Sequence, residues 1–251
     1  MKKYAILGLM ALTCFSVKAA ELELSGIRYA GYTTNAVPTG FSILAVPFSG
    51  FDTNSFATTN LSLEALVSTN GLASGDRLIA FNEATTNYYY YVFNGTVWTA
   101  LNVTQIGTDA TNQVVVVQGP ALSSLTKAQG YAFWLQSASA TTTYLQGVVD
   151  TNDTGVAIAA NGFTLVGNAL PSVLDLNSHS FTNANPWFTP YSITSGPGDE
   201  IHVVAGTNYV RNFFIEGRWK KNSGAADSDP VPAGVGLWFF RRGDSQTFKL
   251  K

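Results

Sequence analysis

The sequence predicts an all-β protein: two homologous β-sandwich-like halves in tandem, either with separate cores or sharing one core, with at most one or two short helices. Three observations carry this expectation. Charged residues make up 12% of the 251 residues and aromatics 13%, a composition with half the usual charge and too many rings for a disordered chain. The polar share is supplied by Thr, Asn, Ser and Gly, and Thr, Val, Tyr and Phe favour strands. Above all, the chain resembles itself.

Five landmarks recur in the same order. Gly40-Phe41-Ser42-Ile43-Leu44 answers to Gly162-Phe163-Thr164-Leu165-Val166, and Gly75-Asp76-Arg77-Leu78-Ile79 to Gly198-Asp199-Glu200-Ile201-His202. Thr86-Asn87-Tyr88 matches Thr207-Asn208-Tyr209, and Phe93 and Trp98 match Phe214 and Trp219. Gly130-Tyr131-Ala132-Phe133-Trp134 matches Gly234-Val235-Gly236-Leu237-Trp238. One such match arises by chance; five in order point to duplication.

Taken in order, residues 1–19 read as a secretory signal peptide. Lys2 and Lys3 form the positive n-region, Tyr4 to Phe15 the apolar h-region, and Val17-Lys18-Ala19 the cleavage site, cut after Ala19. The apolar run is too short to span a bilayer as an anchor. Cys14 as a lipidated residue would need a better lipobox than Ala11-Leu12-Thr13. Beyond residue 19 the chain has no Cys and no Met, so packing alone must hold the core. Without Lys2, Lys3 and Lys18 the net charge of −2 becomes −5, which gives no reason to propose a nucleic-acid partner. Export places the protein outside the cell, on its surface or in the periplasm, with no membrane span after the signal is removed.

Residues 20–35 are expected to form an N-terminal strand or linker, 36–140 the first repeat and 144–251 the second, joined by the small polar stretch Ser137 to Thr143. Whether the halves are separate domains is open. Tyr88 to Phe93 and Thr96 to Leu101 flank Asn94-Gly95, a strong hairpin signal; Glu216-Gly217 is a weaker version in the second half. Val114 to Gln118, Tyr131 to Gln136, Tyr144 to Val149, Ile201 to Ala205 and Leu237 to Arg241 read as further strands. Leu61 to Val67 reads as a short helix capped by Asn60 or Ser62.

Gly162-Phe163-Thr164-Leu165-Val166-Gly167-Asn168-Ala169-Leu170-Pro171-Ser172, followed by Pro232-Ala233-Gly234-Val235-Gly236-Leu237-Trp238-Phe239, resembles the opening and closing segments of an uncharacterised β-rich module of secreted and surface bacterial proteins. The first half keeps both ends in degenerate form, with Ala45-Val46-Pro47 where Gly-Asn-Pro is expected. The resemblance implies a β-rich extracellular module and carries no catalytic residues with it.

No catalytic set is assigned, and the chain is expected not to be an enzyme. His179 lies near Asp175 but no nucleophile elbow accompanies it. His202 has an apolar counterpart in the other repeat, so its position does not demand imidazole. Asp76 and Asp199 follow glycines at strand starts and suit turn closure better than acid–base work. Asp150 and Asn152 open a calcium-like loop, yet Asn161 stands where the bidentate Glu is needed. Asp227-Ser228-Asp229 is a second weak oxygen cluster, so no metal and no cofactor is expected. Arg242-Gly243-Asp244-Ser245 reads as a hairpin turn rather than an adhesion motif.

The ligand-binding candidates are aromatic: Tyr90, Tyr91, Trp98 and Trp219. Arg211 and Asn212 answer to Tyr90 and Tyr91, so those positions tolerate polar groups. If exposed, such rings suit sugar stacking or a protein interface; if the halves pack together, they are buried. The expected function is therefore an exported, non-enzymatic structural or interaction protein with a protein or glycan partner, or self-assembly through strand edges. A carbohydrate-binding module is the alternative. An outer-membrane barrel fits less well, because the strands are short and irregular.

Overall fold

The computed structural model describes residues 29–52, 57–82, 87–106, 114–149, 155–192, 194, 196–205, 208–222 and 226–249. The expected signal peptide and the candidate calcium residues Asp150 and Asn152 lie outside them. The first half contains β1 (Tyr29–Val37), β2 (Gly40–Ala45), β3 (Gly50–Asp52), β4 (Ala57–Thr59), β5 (Leu61–Ser62), α1 (Leu63–Leu66), β6 (Arg77–Asn82), β7 (Asn87–Phe93), β8 (Trp98–Ile106), β9 (Val114–Gln118), β10 (Thr126–Lys127), β11 (Ala132–Ser137) and β12 (Thr141–Val149). The second contains β13 (Gly155–Ile158), β14 (Phe163–Gly167), α2 (His179–Ala184), β15 (Glu200–Ala205), β16 (Asn208–Ile215), β17 (Arg218–Lys221), β18 (Ala226–Asp227), β19 (Gly236–Phe240) and β20 (Gln246–Lys249).

The duplication is written into the hydrogen bonding. Each half has a six-stranded antiparallel sheet, in the order β2-β11-β6-β7-β8-β9 and β14-β19-β15-β16-β17-β18. A two-stranded ribbon, β1-β12 or β13-β20, accompanies each. The registers match residue for residue. Leu44 pairs Phe133 as Val166 pairs Leu237, Leu78 pairs Tyr91 as Ile201 pairs Asn212, and Phe93 pairs Trp98 as Phe214 pairs Trp219. Because side chains alternate across a strand, a conserved register puts equivalent residues on equivalent faces.

The repeat boundaries shift accordingly. Ser137 to Thr143 was expected to be a loop joining the repeats, with the strand Tyr144 to Val149 opening the second repeat. Instead β12 pairs along all nine residues with β1, and Leu145 packs with Val37 in the first core. The first half is therefore 29–149 and the second 155–249, each closed by ribbon strands from its own two ends.

Each core lies between sheet and ribbon. The first gathers Leu44, Leu78, Phe93, Phe133 and Leu135 from the sheet, Val37 and Leu145 from the ribbon, and Leu63 and Leu66 from α1. The second gathers Val166, Ile201, Leu237 and Phe239, Val156 and Phe248, and Phe181 from α2. Ser62 caps α1, its hydroxyl accepting from Ala65 N at 3.2 Å. Ser178 caps α2 in the same way through Phe181 N, at 3.3 Å.

The two hairpins reverse the expected order of turn strength. Ile215 pairs Arg218 directly, and Glu216 and Gly217 both take positive φ, 52° and 80°, the geometry of a two-residue primed turn. Asn94-Gly95 instead sits in a four-residue loop closed by the Phe93–Trp98 pair. There the Asn94 side chain accepts from Thr96 N and Val97 N, each at 2.9 Å, holding a wider loop that delays the second strand to Trp98.

The halves meet about a pseudo-twofold axis. Ala45 N donates to Gly234 O and Gly167 N to Gly130 O, both at 2.8 Å. These four residues are repeat counterparts taken in exchange, as an isologous contact requires. Leu44 bridges Val235 and Tyr131 bridges Val166 in the same exchanged fashion. A third apolar cluster of Ile43, Ala132 and Leu165, with Trp134, Val204 and Trp238 against it, joins the halves on the sheet faces turned away from the two main cores. Close approach here depends on glycine: a Cβ at Gly236 would lie 2.7 Å from Ala132 Cβ, and one at Gly167 would overlap Ala45. The described residues thus form two main cores and a joint, with sheets whose far edges are β9 and β18.

Candidate functional site

Strand alternation sorts the four aromatic candidates. Tyr91 stands opposite Leu78 on the core face and is fully buried, as is Trp219; Trp98 is buried too. None of the three can serve as an open stacking platform, which corrects the expectation. The reasoning from Asn212 to exposure at Tyr91 fails because Asn212 is itself buried. Its amide nitrogen donates to Ile201 O at 3.3 Å, so a polar side chain there bonds the backbone without reaching water. Tyr91 donates its hydroxyl to Pro120 O at 3.0 Å. Burial, with the nearby Tyr89 phenol, pushes its pKa up to about 12.

Tyr90 has the opposite parity and faces outward, half-buried, into a groove of about 630 Å³ across the joint. The first half supplies Phe41 from β2, Arg77 and Ile79 from β6, Tyr88 and Tyr90 from β7, and Trp134 and Gln136 from β11. The second supplies Val204 from β15 and Asn208 and Tyr209 from β16. Phe41 is 47% and Tyr209 45% exposed. The indoles of Trp134 and Trp238, repeat counterparts, meet across the axis at 6.1 Å between ring centroids, and Phe41 stands edge-on to Trp134, also at 6.1 Å. Tyr88 and Tyr209, also counterparts, line it from opposite halves. Burial, then the phenols of Tyr90 and Tyr209, raise the Tyr88 pKa above its ordinary value.

The equivalent positions of the second half carry an ion cluster, beside a smaller hollow of about 390 Å³ lined by Tyr191, Arg211, Phe213, Ile215 and Asn222. Glu200, counterpart of Arg77, is buried on that sheet and accepts from His202 Nε2 at 2.8 Å, Arg211 at 2.7 Å and Arg242 at 2.7 Å. Burial alone would raise the Glu200 pKa. The hydrogen bonds from His202, Arg211 and Arg242, with the charge of Arg211, override it and hold the carboxyl at about 2. Phe163 packs on Phe240 at 4.4 Å and on His202 at 5.4 Å. Arg211, counterpart of Tyr90, lies over the Phe213 ring at 5.1 Å.

The remaining candidate residues bond neighbours within the fold. Asp76 accepts from Ala73 N, Ser137 Oγ and Ala138 N at 2.9–3.1 Å. Asp199 accepts from Thr189 N, Arg242 N and the buried Arg241 guanidinium, the last at 2.6 Å. Both carboxylates are buried and close the same corner of the fold. His179, exposed in α2, bonds Asn183 at 2.8 Å rather than Asp175, which accepts from Asn177 N. Arg242 of the Arg-Gly-Asp-Ser turn lies over Phe240 and pairs with Glu200. Asp227 pairs with Arg218 and Asp229 with Lys221. Among the described residues no group of three or more His, Cys, Asp or Glu side chains could hold a metal ion, and no helix is long and apolar enough to cross a membrane.

The groove residues that sequence reasoning passed over are Phe41, Tyr88, Trp134 and Tyr209. Their signal was present. Tyr88 shares parity with Tyr90, and Phe41, Tyr88 and Trp134 are all repeat landmarks whose counterparts are aromatic. In comparisons with known proteins, no family model, no curated protein and no solved structure matches this chain.

Proposed function

We propose that this is an exported, non-enzymatic structural or interaction protein that engages a partner outside the cytoplasm through the groove across its two halves. The observation that carries the reading is the groove itself: half-exposed aromatic rings gathered from both repeats on a face that neither core needs. Rigid aromatic side chains give contact area at low entropic cost, and strands fix them more firmly than loops would. The export-like N-terminus, the lack of Cys and Met after it, and the resemblance of 162–172 and 232–239 to a secreted module all favour an extracytoplasmic setting. The acids and histidines described above are engaged in holding the fold, which favours binding over catalysis.

Hydroxyl-radical footprinting of the secreted protein, with and without the envelope material of the cells that make it, tests the reading. Protection of Tyr88, Tyr90 and Tyr209, with a mature N-terminus at Ala20, is expected. Undiminished labelling at all three, or retention in the cytoplasm with residues 1–19 intact, contradicts it.

A further inference from the structure

We infer that the groove takes a carboxylated saccharide chain, with pyranose rings stacked on Tyr88, Tyr90 and Tyr209 and a uronate held by Arg77. The inference rests on the binding reading above and names its ligand. Three features converge. The lining is aromatic and amide-bearing rather than aliphatic. Phenols and an indole offer π-faces to the C–H faces of sugars, while Gln136 and Asn208 offer donors and acceptors to hydroxyls. Most lining side chains stand on β6, β7, β11, β15 and β16, interior strands whose backbone ladders are already paired on both sides, so an extended peptide gains no backbone bonds from them.

Charge decides the class of sugar. Arg77 is the one charged side chain lining the groove, it is exposed, and no carboxylate pairs with it among the described residues. Its counterpart in the other half is Glu200, whose charge is consumed by His202, Arg211 and Arg242. Duplication has therefore left one half with a closed ion cluster and the other with an open guanidinium beside stacked rings. A guanidinium binds a carboxylate through two parallel N–H···O bonds, more strongly than it binds a hydroxyl.

The full secreted protein is titrated by calorimetry with hexasaccharides of galacturonate, mannuronate and hyaluronan, with cellohexaose as the neutral control and hexaglutamate as the acidic peptide. At least one uronate ligand is expected to bind in preference to both controls and to weaken as salt is raised. Arg77→Gln is expected to weaken that binding about tenfold and flatten its salt dependence. Tyr209→Ala, with an unchanged thermal transition as the check on folding, is expected to weaken it by a similar factor; Tyr191→Ala, outside the groove, is expected to leave it unchanged. Failure of all three uronates to bind overturns the inference, as does tighter binding of cellohexaose or hexaglutamate, or indifference to both groove substitutions. If footprinting still shows Tyr88 and Tyr209 protected by envelope material while these sugars fail, the binding reading stands and the saccharide is wrong.

Discussion

Two repeat-matched aspartates perform one task with different partners, and the difference sets what each contributes. Asp76 accepts from two backbone N–H groups and a serine hydroxyl, whereas Asp199 also neutralises Arg241, which is buried with it. Asp76→Ala strands neutral donors and should cost about 1–3 kcal/mol. Asp199→Ala strands a buried cation and should cost more, about 3–5 kcal/mol; urea denaturation of the two variants checks the order. Glu200 gives a pH signature. Its folded pKa, about 2, lies below the ordinary 4.5, so the unfolded chain takes up the proton first as pH falls. Its stabilisation is complete above pH 4.5 and disappears as pH drops toward 2. Glu200→Gln should therefore be less stable than the parent at pH 7, with the gap closing by pH 2 in denaturant titrations. That Asp76 and Asp199 accept from backbone N–H groups was legible from their place after glycine at strand starts; the burial of Glu200 was not. The burial of Tyr91 was not, because a buried Asn at its counterpart mimics a solvent position.

At the level of elements, the sheets end differently at their outer edges. β18 is two residues long and carries Asp227, ion-paired to Arg218, which blunts it against strand addition. β9 reads Val114-Val115-Val116-Val117-Gln118, without a charge, and Val116 is 70% exposed. Self-assembly, expected from the sequence as pairing at strand edges, belongs to β9 if it occurs. Sedimentation velocity across a concentration series should show association that Val116→Lys removes; a monomer at all concentrations for both forms contradicts this. Most strands could be read from β-branched and aromatic runs. The turn types were less accessible, since Asn94 spends its side chain on the loop and Glu216 accepts positive φ without the usual Asn or Asp. The ribbon pairing β1-β12 joins strands more than a hundred residues apart, and no local pattern encodes such a partner.

For the molecule as a whole, five repeated landmarks sufficed to foresee duplication, but not the axis that relates the halves. That information lies in residue size at the joint: Ala45 against Gly167 and Ala132 against Gly236. Small residues read from sequence as turns or neutral filler, and become legible only once the halves are docked. Gly236→Val should force Ile43 and Ala132 apart, cost about 1–3 kcal/mol, and split a single thermal transition into two as the cores melt separately. The groove would open with it, since Tyr88 and Tyr209 come from opposite halves. Amide hydrogen exchange at Ala45 and Gly167, followed by NMR on the intact protein, tests the joint most directly, because both N–H groups donate across it. The account predicts that the two exchange slowly and at matching rates, as protected as amides in β7 and β16. Rapid exchange at both while those strands stay protected would mean that the halves are independent and that no shared groove exists.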